Sequence, residues 1–177
     1  MRSLALILAS SFLLSPASPA VDKSVILPND SAIAGPPWIS IEYPVNPYDQ
    51  TTKRAFLVVH AFHHGTPTAF PVSGTAEGIV DGQRRSVPLS FEATSRTGTF
   101  ALTKQWPSNG TWTLAIAVAQ GPEDRVWAVV ELAPSGEVAS VRVPTHEQNG
   151  WVIPSPLAMK DIDSSLRARV SQLARKE

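Results

Sequence analysis

"Val72-Ser73-Gly74-Thr75-Ala76-Glu77-Gly78-Ile79-Val80-Asp81-Gly82-Gln83-Arg84-Arg85-Ser86-Val87-Pro88-Leu89" is the stretch that decides the fold. Asp81-Gly82 separates two alternating runs, and Asp-Gly is the chemistry of a type I′ turn, which needs positive φ at both central residues. Centring the turn there sets Val80 against Gln83, Ala76 against Val87, Gly74 against Leu89 and Val72 against Phe91. That face pairs small residues with large ones. The other face sets Glu77 against Ser86 and Ser73 against Ser90. The register sorts itself into an apolar and a polar side, and a slip of one residue would reverse both. Pro88 cannot donate to a ladder, so its strand is expected at an edge or bulged.

Similar short runs flank this hairpin. Trp38 to Tyr43 puts Ile39, Ile41 and Tyr43 on one face, and Arg54 to Phe62 is apolar on both faces, as a covered central strand is. Thr99 to Gln105 would bury Phe100 and Leu102, and Thr111 to Gln120 would bury Trp112, Leu114, Ile116 and Val118. Pairing these two across Pro107-Ser108-Asn109-Gly110 mismatches their apolar faces, which argues that they lie in different sheets. Arg125 to Leu132 and Val138 to Val143, turned at Ser135-Gly136, set Val130 against Val141 and Leu132 against Ala139. Trp127 and Val129 then fall on the face that ought to meet water. Seven or eight short strands with regular turns predict an antiparallel β-sandwich over residues 38–145.

Residues 146–160 read as an irregular linker with Pro154 and Pro156, and 161–177 as an amphipathic helix. Asp161 or Asp163 would be its N-cap, and Ile162, Leu166, Val170 and Leu173 form one stripe. That stripe is expected to cover Trp127 and Val129, since a short helix is marginal alone. The alternative is that Trp127, Val129, Leu166, Val170 and Leu173 form an interaction surface for a partner.

Gly98-Thr99-Phe100-Ala101-Leu102 followed by Gly110-Thr111-Trp112-Thr113-Leu114-Ala115-Ile116 resembles a pattern of bacterial exported immunoglobulin-like domains, G-x-Y-x-L then G-x-W-x-L. The YtkA-like and FixH-like extracytoplasmic domains are examples. The resemblance covers Trp38 to Val143. It implies an immunoglobulin-like fold and an envelope location. Some such domains handle copper.

The N-terminus points the same way. Met1-Arg2-Ser3 carries one positive charge, Leu4 to Leu14 is apolar, and Ser18 and Ala20 are small. This is the pattern of a secretory signal peptide, residues 1–20, cut after Ala20. The apolar run is about half the roughly 20 residues a membrane-spanning helix needs. Residues 21–37 read as an extended lead-in. Absence of cysteine removes disulfides, thiolate metal sites and cysteine nucleophiles, and an exported chain without disulfides fits a bacterial periplasm or secretion better than a eukaryotic route. Lysine plus arginine equals aspartate plus glutamate at 15 each, which speaks against a nucleic-acid partner.

Three of the four histidines sit in Val58-Val59-His60-Ala61-Phe62-His63-His64-Gly65. Along a strand His60 and His64 would share a face about 13 Å apart, with His63 on the other, so an extended stretch cannot chelate one ion through two of them. Only if the strand ends near Phe62 could His63 and His64 meet a third ligand such as His146. Metal binding by His60, His63 and His64 is therefore an alternative; no cofactor is expected otherwise. No nucleophile elbow, phosphate loop or zinc-protease motif is present, so no enzyme activity is expected. A glycan-binding face is the other alternative, with Trp106, Trp127, Trp151, Tyr43 and Tyr48 as candidate rings and Trp38 and Trp112 assigned to the core. The leading expectation is a non-enzymatic envelope domain acting by protein–protein contact.

Overall fold

The structure, a computed structural model, describes residues 35–175. The expected signal peptide and most of the lead-in lie outside the described residues. The strands are β1 (Trp38–Glu42), β2 (Leu57–His63), β3 (Thr66–Pro67), β4 (Val72–Val80), β5 (Gln83–Pro88), β6 (Glu92–Ala93), β7 (Thr99–Leu102), β8 (Thr111–Ala119), β9 (Arg125–Leu132), β10 (Val138–Arg142), β11 (Thr145–Gln148) and β12 (Trp151–Pro154). The helix α1 spans Met159–Leu173. All strand pairs are antiparallel. One sheet has the order β1-β2-β7-β6 with β3 beside β2, a second has the order β10-β9-β8-β4-β5, and β11-β12 stands apart. The result is an all-β sandwich with one helix behind it.

The Asp81-Gly82 hairpin forms in the expected register, with Val80 against Gln83 and Ala76 against Val87, and φ of 50° and 76° at the turn. The Leu89 N–H still donates to the Gly74 carbonyl at 2.9 Å, as expected, but the ladder does not extend to Val72 and Phe91; on its other edge β4 pairs with β8, Val72 opposite Val118. Pro88 lies on β5, an edge strand. β7 and β8 belong to different sheets. Val130 meets Val141, but a bulge at Ala139 brings Val138 against Leu132. The core is where the inner faces meet: Ile39, Leu57, Val59 and Leu102 from the first sheet, Leu114, Ile116, Val126 and Val130 from the second.

The helix covers the outer face of the second sheet. Ile162 and Leu166 are 0% exposed and pack on Ala115, with Ile79, Trp127 and Leu157 around them. The helix begins at Met159, before the expected caps: its N-cap is Ala158, without a side-chain cap. Asp163 is already one turn inside and accepts from Arg84 Nε at 2.7 Å. Arg84 Nη1 also pairs with Glu77 Oε2 at 2.7 Å, and Ser86 Oγ donates to Glu77 Oε1 at 2.8 Å. Glu77 is thus a buried carboxylate. Its expected place on a solvated face is corrected by the helix that closes over it.

Arg169 fastens the other end. Its Nη1 donates to the Leu132 carbonyl at 3.0 Å and its Nη2 to the Trp112 carbonyl at 3.1 Å and to Thr113 Oγ1. Beside it, Glu131 Oε1 accepts from Ser165 Oγ at 2.7 Å and Oε2 from Ser140 Oγ at 3.1 Å. Burial pushes the Glu131 carboxyl up, but the Ser165 bond, the Arg169 and Arg142 charges and the Ser140 bond together hold it below the ordinary glutamate value. A carboxyl depressed on folding stabilises the fold above its unfolded pKa, and the contribution is lost as pH falls through the folded pKa. The melting temperature should therefore drop between about pH 5 and about pH 3. A Glu131→Gln chain should show a smaller drop over that range in a thermal melt series; an equal drop would assign the acid sensitivity elsewhere.

Among the described residues, no helix is long and apolar enough to cross a membrane.

Candidate functional site

The histidine stretch ends in a tight hairpin. His64 and Gly65 take φ of 48° and 76°, so the chain reverses there, with His63 opposite Thr66 and Phe62 opposite Pro67. A non-glycine residue in that region is uncommon, though histidine is among those that enter it more often. Alternation then separates the rings. His60 stands on the outer face of the first sheet, where its Nε2 and Glu42 Oε2 are 2.9 Å apart. Its Nδ1 lies 3.5 Å from Thr99 Oγ1. His63 points the other way, edge-on to Phe70 with ring centroids 6.0 Å apart. Its Nε2 is buried without a hydrogen-bond partner among the described residues. The His63 and His64 rings are adjacent, with centroids 4.2 Å apart. His146 is not with them: it is on β11, with Nδ1 2.9 Å from Ser155 Oγ. Among the described residues no group of three histidine, aspartate or glutamate side chains converges as an ion would require. The hydrogen bond to His60 is the largest cause holding the Glu42 carboxyl below its ordinary value. Chemically, His60 and Glu42 are a mutually satisfied pair on a sheet face.

The expected interaction stripe meets its own domain. Leu166 and Val129 are buried, Trp127, Val170 and Leu173 are half-buried, and Leu166 and Trp127 belong to the helix–sheet contact. The candidate sugar-stacking rings separate as well. Trp106 is buried against Phe56, and Tyr43 is half-buried beside that same ring. Tyr48 is exposed on a loop. Trp112 is in the core, but Trp38 is 41% exposed on the outer face of β1, opposite Phe62.

The most conspicuous surface feature was expected to be linker. Thr145–Gln148 and Trp151–Pro154 form a separate hairpin, turned at Asn149-Gly150 with φ of 53° and 79°. Asn-Gly is a strong signal for this turn. The two prolines masked it, and one of them, Pro154, ends β12. Trp151 is 75% exposed and Val152 65%. Successive residues of a strand point to opposite faces, so each face of this tip exposes one large apolar side chain. Exposed apolar surface of that kind marks contact sites.

Trp127, Arg125 and the turn residues Pro122, Glu123 and Asp124 line a cleft with Ile153 and Pro154 at the base of the hairpin.

No protein-family model matches the chain, and no curated protein or solved structure resembles it significantly.

Proposed function

We propose that this chain is an exported, non-enzymatic immunoglobulin-like domain of the bacterial envelope that works by contact with another protein. Two antiparallel sheets with Trp112 buried between them support the immunoglobulin-like reading. The observation that carries the contact role is the β11–β12 hairpin, whose tip exposes Trp151 and Val152 on opposite faces. Tryptophan is enriched at contact hot spots because a large rigid ring gains much area for little entropy. A knob of this shape fits an apolar socket on the partner.

A photo-crosslinking side chain at 151 or 152, in the full-length precursor expressed in its own cells, should give one discrete adduct. The same probe at exposed Asp81 should not. Sequencing of the exported product should begin at Val21. No adduct from the tip, or the same adducts from Asp81, would sink the contact reading; a product retained in the cytoplasm would sink export.

A further inference from the structure

A cleft of about 620 Å³ opens between the β8–β9 turn on one side and β12 with the Pro156-Leu157 connection on the other. That is within the range of about 300–1,000 Å³ typical of small-ligand sites. Its apolar lining is Trp127, Ile153, Leu157 and four prolines; Glu123, Asp124 and Arg125 supply its charges. Three other carboxylates are paired, Glu77 with Arg84, Asp49 with Arg96 and Glu42 with His60. Among the described residues, the side chains of Glu123, Asp124 and Arg125 have no hydrogen bond or ion pair. Three planar polar groups thus stand unused around an indole.

Their signs decide what fits. Two carboxylates disfavour an anionic ligand, and the guanidinium beside them offsets one of their two charges. A neutral polyol uses both. A carboxylate accepts from two neighbouring hydroxyls, a guanidinium donates in a rigid fork, and such charge-assisted bonds are the stronger kind. The indole offers an apolar surface to the C–H face of a sugar ring. We infer that this cleft binds a neutral oligosaccharide, with Trp127 beneath a sugar ring and Glu123, Asp124 and Arg125 on its hydroxyls. The inference does not depend on the hairpin tip, although Trp151 lies on the same hairpin face as Ile153, two register positions nearer the turn.

Indole N–H resonances of the ¹⁵N-labelled exported chain would be followed while neutral trisaccharides of glucose or N-acetylglucosamine are added. A uronic acid trisaccharide and trilysine serve as charged controls. One neutral saccharide should move the Trp127 signal saturably, and the controls should not. Glu123→Ala combined with Asp124→Ala should weaken binding about tenfold, since each removes charge-assisted hydrogen bonds. Both residues are exposed in a turn, so melting should be unchanged. Three outcomes would overturn the assignment: no shift of Trp127 with any neutral saccharide at about 10 mM, tighter binding of either charged control, or unchanged affinity in the double variant. Crosslinking at 151 is read separately, so the contact role and the sugar site can fail independently.

Discussion

A chain truncated after Leu157 should lose at least about 4 kcal/mol of stability and bind hydrophobic dyes. Ile162 and Leu166 are fully buried, and burying a side chain of that size stabilises by about 1.5–3 kcal/mol. Their removal also wets Ala115, Ile79 and Trp127, which the helix covers. It takes away Arg169, which holds the Leu132 and Trp112 carbonyls, and Asp163, which steadies Arg84 over the buried Glu77. A domain of this size has about 5–15 kcal/mol in total. The truncated chain should therefore unfold at much lower urea, or fail to fold. Leu166→Ala tests the same contact more gently and should cost about 2–5 kcal/mol. An unchanged urea midpoint in both chains would mean that the helix adds nothing to the domain.

Gly78→Ala should cost about 3 kcal/mol, which is large for one methyl group. Gly78 pairs with Trp112 across β4 and β8, and a Cβ there would lie 2.4 Å from Trp112 Cε3. The ring cannot step aside. Its Nε1 donates to the Asn109 carbonyl at 2.8 Å, and the indole is buried in the core. Gly82→Ala is the contrast: φ is +76° but nothing lies within 4 Å, so only backbone strain of about 1 kcal/mol is expected. Equilibrium unfolding of both variants separates steric from conformational cost. Equal losses would show that Trp112 yields. Adding Trp112→Leu to Gly78→Ala should recover part of the deficit if the ring is the obstacle.

The contrast between these glycines also shows what a sequence carries. Asp81-Gly82 was legible because turn chemistry is local, and the hairpin register followed from it. Alternation alone separated β7 from β8 and His60 from His63. Alternation also held the answer for Trp38: Ile39 and Ile41 face the core, so their neighbour must face out. Assigning Trp38 to the core weighed residue type over parity. The β11–β12 hairpin escaped because its apolar residues, Trp151 and Val152, are consecutive and show no single face, although Asn149-Gly150 announced the turn. Glu77 could not be read as buried at all. Its burial depends on a helix far along the chain, and nothing near Glu77 encodes that partner. The cleft was out of reach for the same reason, since Trp127 and Ile153 come to line it only through tertiary packing.

The helix follows every strand in chain order. During synthesis the second sheet therefore has all of its strands before it has its cover. For that interval Ala115, Ile79 and Trp127 form a sticky face on an assembled sheet, and the Glu77 carboxylate keeps its water. Copies clipped before the helix carry that face permanently, while copies that keep the helix cover most of it. A holding chaperone or a protease that binds apolar surface can thus tell the two apart without reading any sequence, by what is still wet.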